Sequence, residues 1–172
     1  PPLVRQGAPM LFKAGSRVPT GIVLTIALQL ASAAPNASPS PVGRWDFDQT
    51  NDLLRPTAGS ALILHGSHIA IPGPRTGNQA VRIGVGSYYE CAHGIAPSGS
   101  DTLVNRYSLQ IDFRIPSVGP WYCFLQTDPA NQNDGDCFVR ANDGALGVSQ
   151  TGYSSTQVQP GVWQRLVVAV YN

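Results

Sequence analysis

The sequence predicts an all-β protein whose antiparallel strands form a β-sandwich or jelly roll. Residues 107–115 alternate between apolar and polar side chains, which is the period of a strand with one buried face and one face in water. Further strand-like segments recur about every ten residues, and no convincing helical pattern separates them. The composition agrees, because 18 glycines and 15 prolines supply many turns and only 12% of the residues are charged.

The beginning of the chain is typical of a secretion signal. A short basic segment, MLFKAGSR, starts at Met10, and the apolar run GIVLTIALQLA covers residues 21–31. The sequence ASA at residues 31–33 then has the small-x-small pattern of a signal peptidase site. The apolar run is about half of the ~20 residues that span a bilayer, so we expect no membrane insertion. Residues 1–33 are therefore predicted to be a signal peptide and the protein to be secreted; whether the signal starts at Pro1 or at Met10 stays open.

A Pro/Ser-rich linker, residues 34–41, follows the predicted cleavage point, and residues 42–172 form the predicted domain. In chain order, its candidate strands are RWDF, ALIL, AVRIGV, SYYEC, residues 107–115, WYCFLQ, CFVRA, ALGVS and WQRLVVAVY. Asn142-Asp143-Gly144 supplies a tight turn before ALGVS. The apolar positions expected on buried faces are Leu109, Ile111, Phe113, Leu125, Leu166 and Val168.

Three cysteines in an oxidising compartment allow one disulfide and leave one thiol. Cys123 and Cys137 lie symmetrically about an acidic loop, and antiparallel strands joined by that loop would bring them opposite each other. This spacing predicts a Cys123–Cys137 disulfide with Cys91 left over. The alternative is three separate buried thiols.

The acidic loop itself, QTDPANQNDGD at residues 126–136, has two interpretations. A plain turn is favoured, because Asp and Asn side chains bond their own backbone, Pro129 fixes φ and Gly135 supplies a positive φ. The alternative is a rim that binds calcium or another ligand, since calcium prefers carboxylate and amide oxygens. The calcium ligands of that alternative are Asp128, Asn133, Asp134 and Asp136. No other cofactor is predicted.

Six segments, taken together, resemble a known family. In order they are VGRWDFD, AVRIGVGSYYECAHGI, YSLQIDFRIP, WYCFLQTDPANQNDGDCFV, GALGVS and GVWQRLVVAVYN, and they cover nearly all of residues 42–172. Their order and spacing are similar to the laminin G-like branch of the concanavalin A-like lectin and glucanase superfamily. The resemblance implies a concanavalin A-like jelly roll, with two antiparallel sheets packed face to face and one of them concave. Such domains usually continue with another hairpin and a last strand, so it also implies a chain truncated at its C-terminus, Asn172.

The superfamily contains glucan hydrolases as well as binding modules, and the residues argue against catalysis. Glycoside hydrolysis normally requires two carboxyl groups at a defined separation, and the related glucanases carry paired glutamates on one strand. This chain has a single glutamate, Glu90. Asp46 and Asp48 lie in the first strand of the domain, which is structural in relatives. We therefore predict that the chain is not an enzyme.

The predicted function is a non-catalytic carbohydrate- or protein-binding module of a secreted protein. The rival is a structural or accessory spacer beside a catalytic domain, and a glycoside hydrolase comes third. Candidate ligand-binding residues are an aromatic pair suited to stacking on sugar rings, Tyr89 and Trp121, and two polar residues of the acidic loop, Asn131 and Asp134. The expected partner is a glycan or an extracellular protein; the formal charge of +1, without basic runs, gives no indication of nucleic acid.

Overall fold

A computed structural model describes residues 40–98, 103–128, 130, 136–148 and 152–171, together with the backbone of residues 4–5, 10–13 and 22–29. Throughout these residues the regular structure is strand and every strand pairing is antiparallel, so the prediction of an all-β antiparallel protein is confirmed. The strands are β1 (Val4–Arg5), β2 (Met10–Lys13), β3 (Ile22–Gln29), β4 (Pro41–Trp45), β5 (Ile63–His65), β6 (His68–Pro72), β7 (Gln79–Ile83), β8 (Tyr88–Cys91), β9 (Leu103–Val104), β10 (Arg106–Arg114), β11 (Tyr122–Gln126), β12 (Asp136–Val139), β13 (Ala145–Val148), β14 (Gly152–Gln157) and β15 (Gln164–Tyr171).

The strands form two larger sheets. The six-stranded sheet has the order β15-β10-β3-β7-β6, and β4 pairs with β3 beside β7. The seven-stranded sheet has the order β14-β13-β12-β11-β2-β8-β5, and β1 and β9 form a separate pair. No helix within the described part of the chain is long and apolar enough to cross a membrane.

Strand β10 has the alternation that its sequence predicts. Tyr107, Leu109, Ile111 and Phe113 are buried, while the polar residues between them are half-buried on the opposite face. Of the other positions predicted to face the core, Leu125 is buried. The remaining two, Leu166 and Val168 of β15, are half-buried and pack against the core. The predicted buried faces are therefore confirmed.

Both larger sheets contribute to one apolar core. Phe113 of the six-stranded sheet contacts Phe124 of the seven-stranded sheet, with ring centroids 4.5 Å apart. Trp45 is also buried, and its indole N–H donates a hydrogen bond to the Ser60 carbonyl oxygen at 2.9 Å. Full burial of one such large apolar side chain stabilises the fold by about 1.5–3 kcal/mol, so these residues supply much of the driving force for folding.

The predicted Cys123–Cys137 disulfide is wrong. Cys123 pairs across the strands with Phe138, and Cys137 pairs with Leu125, because the register shifts between Cys123 and Leu125. A one-residue offset sends neighbouring side chains to opposite faces of a sheet, so Cys137 joins the core while Cys123 faces away from it. Both are buried and neither forms a disulfide, and the same holds for Cys91. Burial raises the pKa of Cys91 and of Cys137 to about 12 in each case.

Part of the segment predicted to be a signal peptide contributes backbone to both sheets. Strand β2 lies between β11 and β8, and strand β3 pairs with β10 on one side and with β4 and β7 on the other. The register places Leu24, Ile26 and Leu28 opposite buried residues of β10. The signal peptide stays a prediction. Residues 34–39 of the predicted linker lie outside the described residues, and Pro41 already belongs to β4.

Candidate functional site

A group of exposed and half-buried side chains lies on the face of the seven-stranded sheet that points away from the core. Tyr122 and Phe124 of β11 face the core, so Trp121, which precedes Tyr122, points to the opposite face. On β12 the same alternation puts Phe138 outward, and its pairing with Gly147 of β13 leads to Tyr153 of β14. We call the group formed by Trp121, Phe138, Arg140 and Tyr153 the aromatic patch.

Trp121 is the most accessible ring of the patch, and 42% of its surface is exposed. Its ring centroid lies 6.2 Å from that of Phe138, at an interplanar angle of 84°. The ring of Tyr153 lies 5.9 Å away at 65°. Aromatic pairs favour such edge-to-face contacts, so two neighbours fix the orientation of an indole that remains partly in water.

A fixed ion pair borders the rings. The Arg140 guanidinium lies over the Tyr153 ring at 4.7 Å from its centroid. It also donates two hydrogen bonds to the Asp143 carboxylate, at 3.0 Å from Nε and 2.5 Å from Nη2. These hydrogen bonds lower the pKa of Asp143 and raise that of Arg140. The patch therefore combines an exposed indole with charged donor and acceptor groups whose positions are set by each other.

Gly147 allows Tyr153 to lie close over the sheet. A Cβ atom at position 147 would lie 2.6 Å from both the Cα and the Cδ1 atoms of Tyr153. These distances are shorter than any side chain tolerates without a shift of the backbone. Gly147, the second glycine of GALGVS, is thus a packing requirement of the patch.

Of the four residues predicted to bind a ligand, the two that the structure describes, Trp121 and Tyr89, do not come together. Trp121 belongs to the aromatic patch. Tyr89 is fully buried, and its hydroxyl lies 2.6 Å from Nδ1 of His68, so its ring offers no surface for stacking. Asn131 and Asp134 lie outside the described residues.

The acidic loop is described only at its ends. Oδ1 of Asp128 accepts a hydrogen bond from the Ala130 amide at 2.8 Å, as expected for a turn in which Asp bonds nearby backbone. Asp136 is buried, while Asn133 and Asp134 lie outside the described residues. Within the described ranges no three His, Cys, Asp or Glu side chains gather as a metal site would require. Because half of the predicted calcium ligands lie outside the described residues, calcium binding stays a prediction.

The single glutamate forms a contact of its own. Oε2 of Glu90 lies 2.9 Å from Nε2 of His65, and the His65 ring stacks on Tyr88 with centroids 4.5 Å apart at 11°. The neighbouring His68 faces the buried Tyr89, and burial lowers the pKa of His68. The carboxylate of Glu90 is thus already engaged by an imidazole.

Sequence reasoning missed Phe138 and Arg140 as members of the patch. Their alternation in CFVRA indicates that they share a face. The pairing that brings them beside Trp121, however, depends on the register between β11 and β12, which the acidic loop connects. Comparisons of the chain with protein-family models, with curated proteins and with solved structures gave no match. The function of the aromatic patch therefore has to be inferred from the chemistry of its own side chains.

Proposed function

We propose that the chain is a non-catalytic recognition module that binds carbohydrate at the aromatic patch. The proposal includes a laminin G-like domain with a concanavalin A-like jelly roll, and secretion of the protein. It is supported by the order of the six motif segments, by two antiparallel sheets that share a core, and by the accessible rings on the outer face of one sheet.

The exposure of Trp121 is the observation that carries this proposal. Trp121 leaves 42% of its surface in water, and covering the apolar part of that surface with a ligand is favourable because it removes apolar area from water. The C–H face of a pyranose ring is flat and apolar, and it packs on an aromatic ring. Arg140 and Asp143 lie at the border of the same surface and can donate to and accept from sugar hydroxyls, which need both kinds of partner.

Recognition of an extracellular protein is the second candidate, because Trp, Tyr and Arg dominate the energetics of protein interfaces. The two candidates differ in the size of the ligand contact. A sugar engages one or two rings, whereas a stable protein interface buries about 800 Å² on each partner. A variant that removes Trp121 weakens binding of either a glycan or a protein, so the ligand itself has to be identified.

A glycan array probed with the full chain tests the proposal. Trp121→Ala should abolish the glycan signals, since a stacking ring contributes a large share of the contact area. Trp163→Ala is the matched control, because Trp163 is half-buried on another part of the surface and contacts Arg114 instead. Quenching of tryptophan fluorescence by a positive glycan should likewise disappear in Trp121→Ala and persist in Trp163→Ala.

Three outcomes would contradict the proposal. No array signal at high protein density would favour the structural spacer. Equal loss of signal in both tryptophan variants would show that the patch is not the binding surface. Release of reducing ends from a bound glycan would instead support the hydrolase that ranks third.

A further inference from the structure

A polar pocket lies on the outer face of the six-stranded sheet, whereas the aromatic patch lies on the seven-stranded sheet. It has a volume of about 270 Å³ and forms where β4, the turn between β6 and β7, β10 and β15 meet. Three arginines, Arg44, Arg75 and Arg165, and two glutamines, Gln79 and Gln110, line it. We call it the arginine–glutamine pocket.

Two of the arginines are held in place by carboxylates of the pocket. Arg165 donates two hydrogen bonds to Asp112, at 2.5 and 2.7 Å. Arg44 donates through Nε to Asp46 at 2.8 Å, and the other oxygen of Asp46 accepts from the Thr57 hydroxyl at 2.6 Å. Each guanidinium has five N–H groups in a rigid fork, so both arginines keep unused donors after these bonds are made.

The third arginine and the two glutamines have no such partners. The side chains of Arg75, Gln79 and Gln110 form no hydrogen bond or ion pair with other described residues. Gln79 and Gln110 are half-buried and line the pocket, so their amide groups can donate to and accept from a bound ligand. The pocket therefore carries unused polar capacity on three side chains from two different parts of the chain.

The chemistry of the lining selects the ligand. Guanidinium N–H groups favour an oxyanion, and the amides both donate and accept, as sugar hydroxyls require. Asp46 and Asp112 also line the pocket, so a dianion such as a phosphate monoester would be repelled by two carboxylates. Pro41 and Pro74 supply apolar surface for the C–H groups of a ring.

We propose that the arginine–glutamine pocket binds a sugar acid, a pyranose that carries one carboxylate or sulfate group, with Arg75 contacting the anionic group. Gln79 and Gln110 bind the ring hydroxyls, while the paired Arg44 and Arg165 form the walls. Asp48 fixes the turn that presents Arg75 and Gln79, because its oxygens accept from the Gln79 amide at 2.7 Å and from Asn78 at 3.3 Å. This site does not depend on the aromatic patch.

NMR titrations of the full chain with four probes test the site. Glucuronate and glucose 6-sulfate stand for the two possible sources of the monoanion. Glucose and glucose 6-phosphate are the neutral and the dianionic comparisons. At least one monoanion should bind about tenfold more tightly than both comparisons, since one charge-assisted hydrogen bond accounts for a difference of that order.

Variants then locate the contact. Arg75→Ala should weaken binding of the preferred monoanion about tenfold, and Gln110→Glu should weaken it by at least as much, because it adds a like charge. Arg82→Ala is the matched control: Arg82 is exposed on β7 of the same sheet, has the same charge and does not line the pocket. It should leave the affinity unchanged.

Trp121→Ala separates this inference from the proposed function. Unchanged glucuronate affinity in Trp121→Ala supports the pocket, whatever the glycan array shows for the patch. The inference is overturned if neither monoanion binds, if glucose binds as tightly as they do, or if Arg75→Ala and Arg82→Ala weaken binding equally. Loss of binding in Trp121→Ala with full binding in Arg75→Ala would also overturn it.

Discussion

Cys123 and Cys137 lie on opposite faces of the seven-stranded sheet although their strands are neighbours. Phe138 is the residue opposite Cys123, and Cys137 next to it faces the core. A disulfide needs two Cβ atoms about 3.5–4.5 Å apart on the same side of the backbone, which this register does not provide. The two thiols are therefore separated by the sheet itself.

We predict that none of the three cysteines forms a disulfide and that burial protects all three thiols in the folded protein. Under denaturing conditions without reductant, a thiol reagent should label three cysteines per chain. In the native protein at pH 8 the reaction should be slow, because the thiolate is the nucleophile and burial raises the pKa of Cys91 and of Cys137 to about 12. A single labelled cysteine after denaturation would contradict the prediction and show that the other two cysteines form a disulfide.

The same buried groups predict a loss of stability at alkaline pH. Burial raises the pKa of Cys91 and Cys137 from 9.0 to about 12, and that of Tyr107 from 10.0 to about 12. In the unfolded chain the two cysteines therefore lose their protons above pH 9 and the tyrosine above pH 10, while the folded chain keeps them. The free energy of unfolding should be independent of these groups below pH 9 and fall as pH rises towards 12, by up to about 1.4 kcal/mol per pH unit for each group.

Urea unfolding at successive pH values measures this dependence. Cys91→Ala removes one of the groups, so its slope between pH 10 and 11 should be shallower by about 1.4 kcal/mol per pH unit. A wild-type stability that stays constant up to pH 11 would contradict the assignment of these side chains to the core.

The contact between Phe113 and Phe124 predicts a large effect of core truncation. Phe113→Ala removes a fully buried ring and its partner across the two sheets, so it should lower the free energy of unfolding by about 3–5 kcal/mol. Val167→Ala on β15 is the control: Val167 is 57% exposed, and a change there should stay within about 0.5 kcal/mol. Similar losses in both variants, measured by urea unfolding, would show that the two sheets do not share this core.

Features that depend on a single strand could be predicted from the sequence, whereas those that depend on pairing could not. The period of two in β10 correctly predicts which face of Leu109 and Ile111 is buried, because alternation is a local property. The cysteine pairing failed because a shift of one residue between neighbouring strands is invisible in the sequence and reverses the face. The sequence predicts Tyr89 as a ligand contact because it belongs to an adjacent pair of tyrosines. In a strand one residue of such a pair faces the core, and here it is Tyr89.

The same distinction between features of one strand and features of strand pairing applies to the candidate sites. Trp121 could be proposed from its residue type and its place before a strand. The arginine–glutamine pocket could not, because Arg75 and Gln110 are brought together by a sheet whose strand order is not the chain order. The role of strand β3 was missed for another reason: an apolar run with basic residues before it fits a signal peptide and a buried strand equally well.

The position of β3 leads to a prediction about the chain without its first 33 residues. The slot between β10 on one side and β4 and β7 on the other is filled by backbone of residues 22–29. If a signal peptidase removes residues 1–33, the mature chain has unpaired donors and acceptors along three apolar strands. Strand β15 already forms an edge of this sheet, and its RLVVAV segment is β-prone, contains no proline and has a single charge.

We therefore expect residues 34–172, produced alone, to be oligomeric or poorly soluble, because strand edges next to an exposed core associate with one another. A synthetic peptide of residues 20–31 added in trans should fill the slot and restore a monomer, as seen by light scattering. The matched control is the same peptide with Ile26→Asp. The register places Ile26 opposite Ile111 and Trp45, both buried, so this control peptide should fail to bind. A clean monomer for residues 34–172 without any peptide, with sharp two-state unfolding, would show that the fold does not require β3.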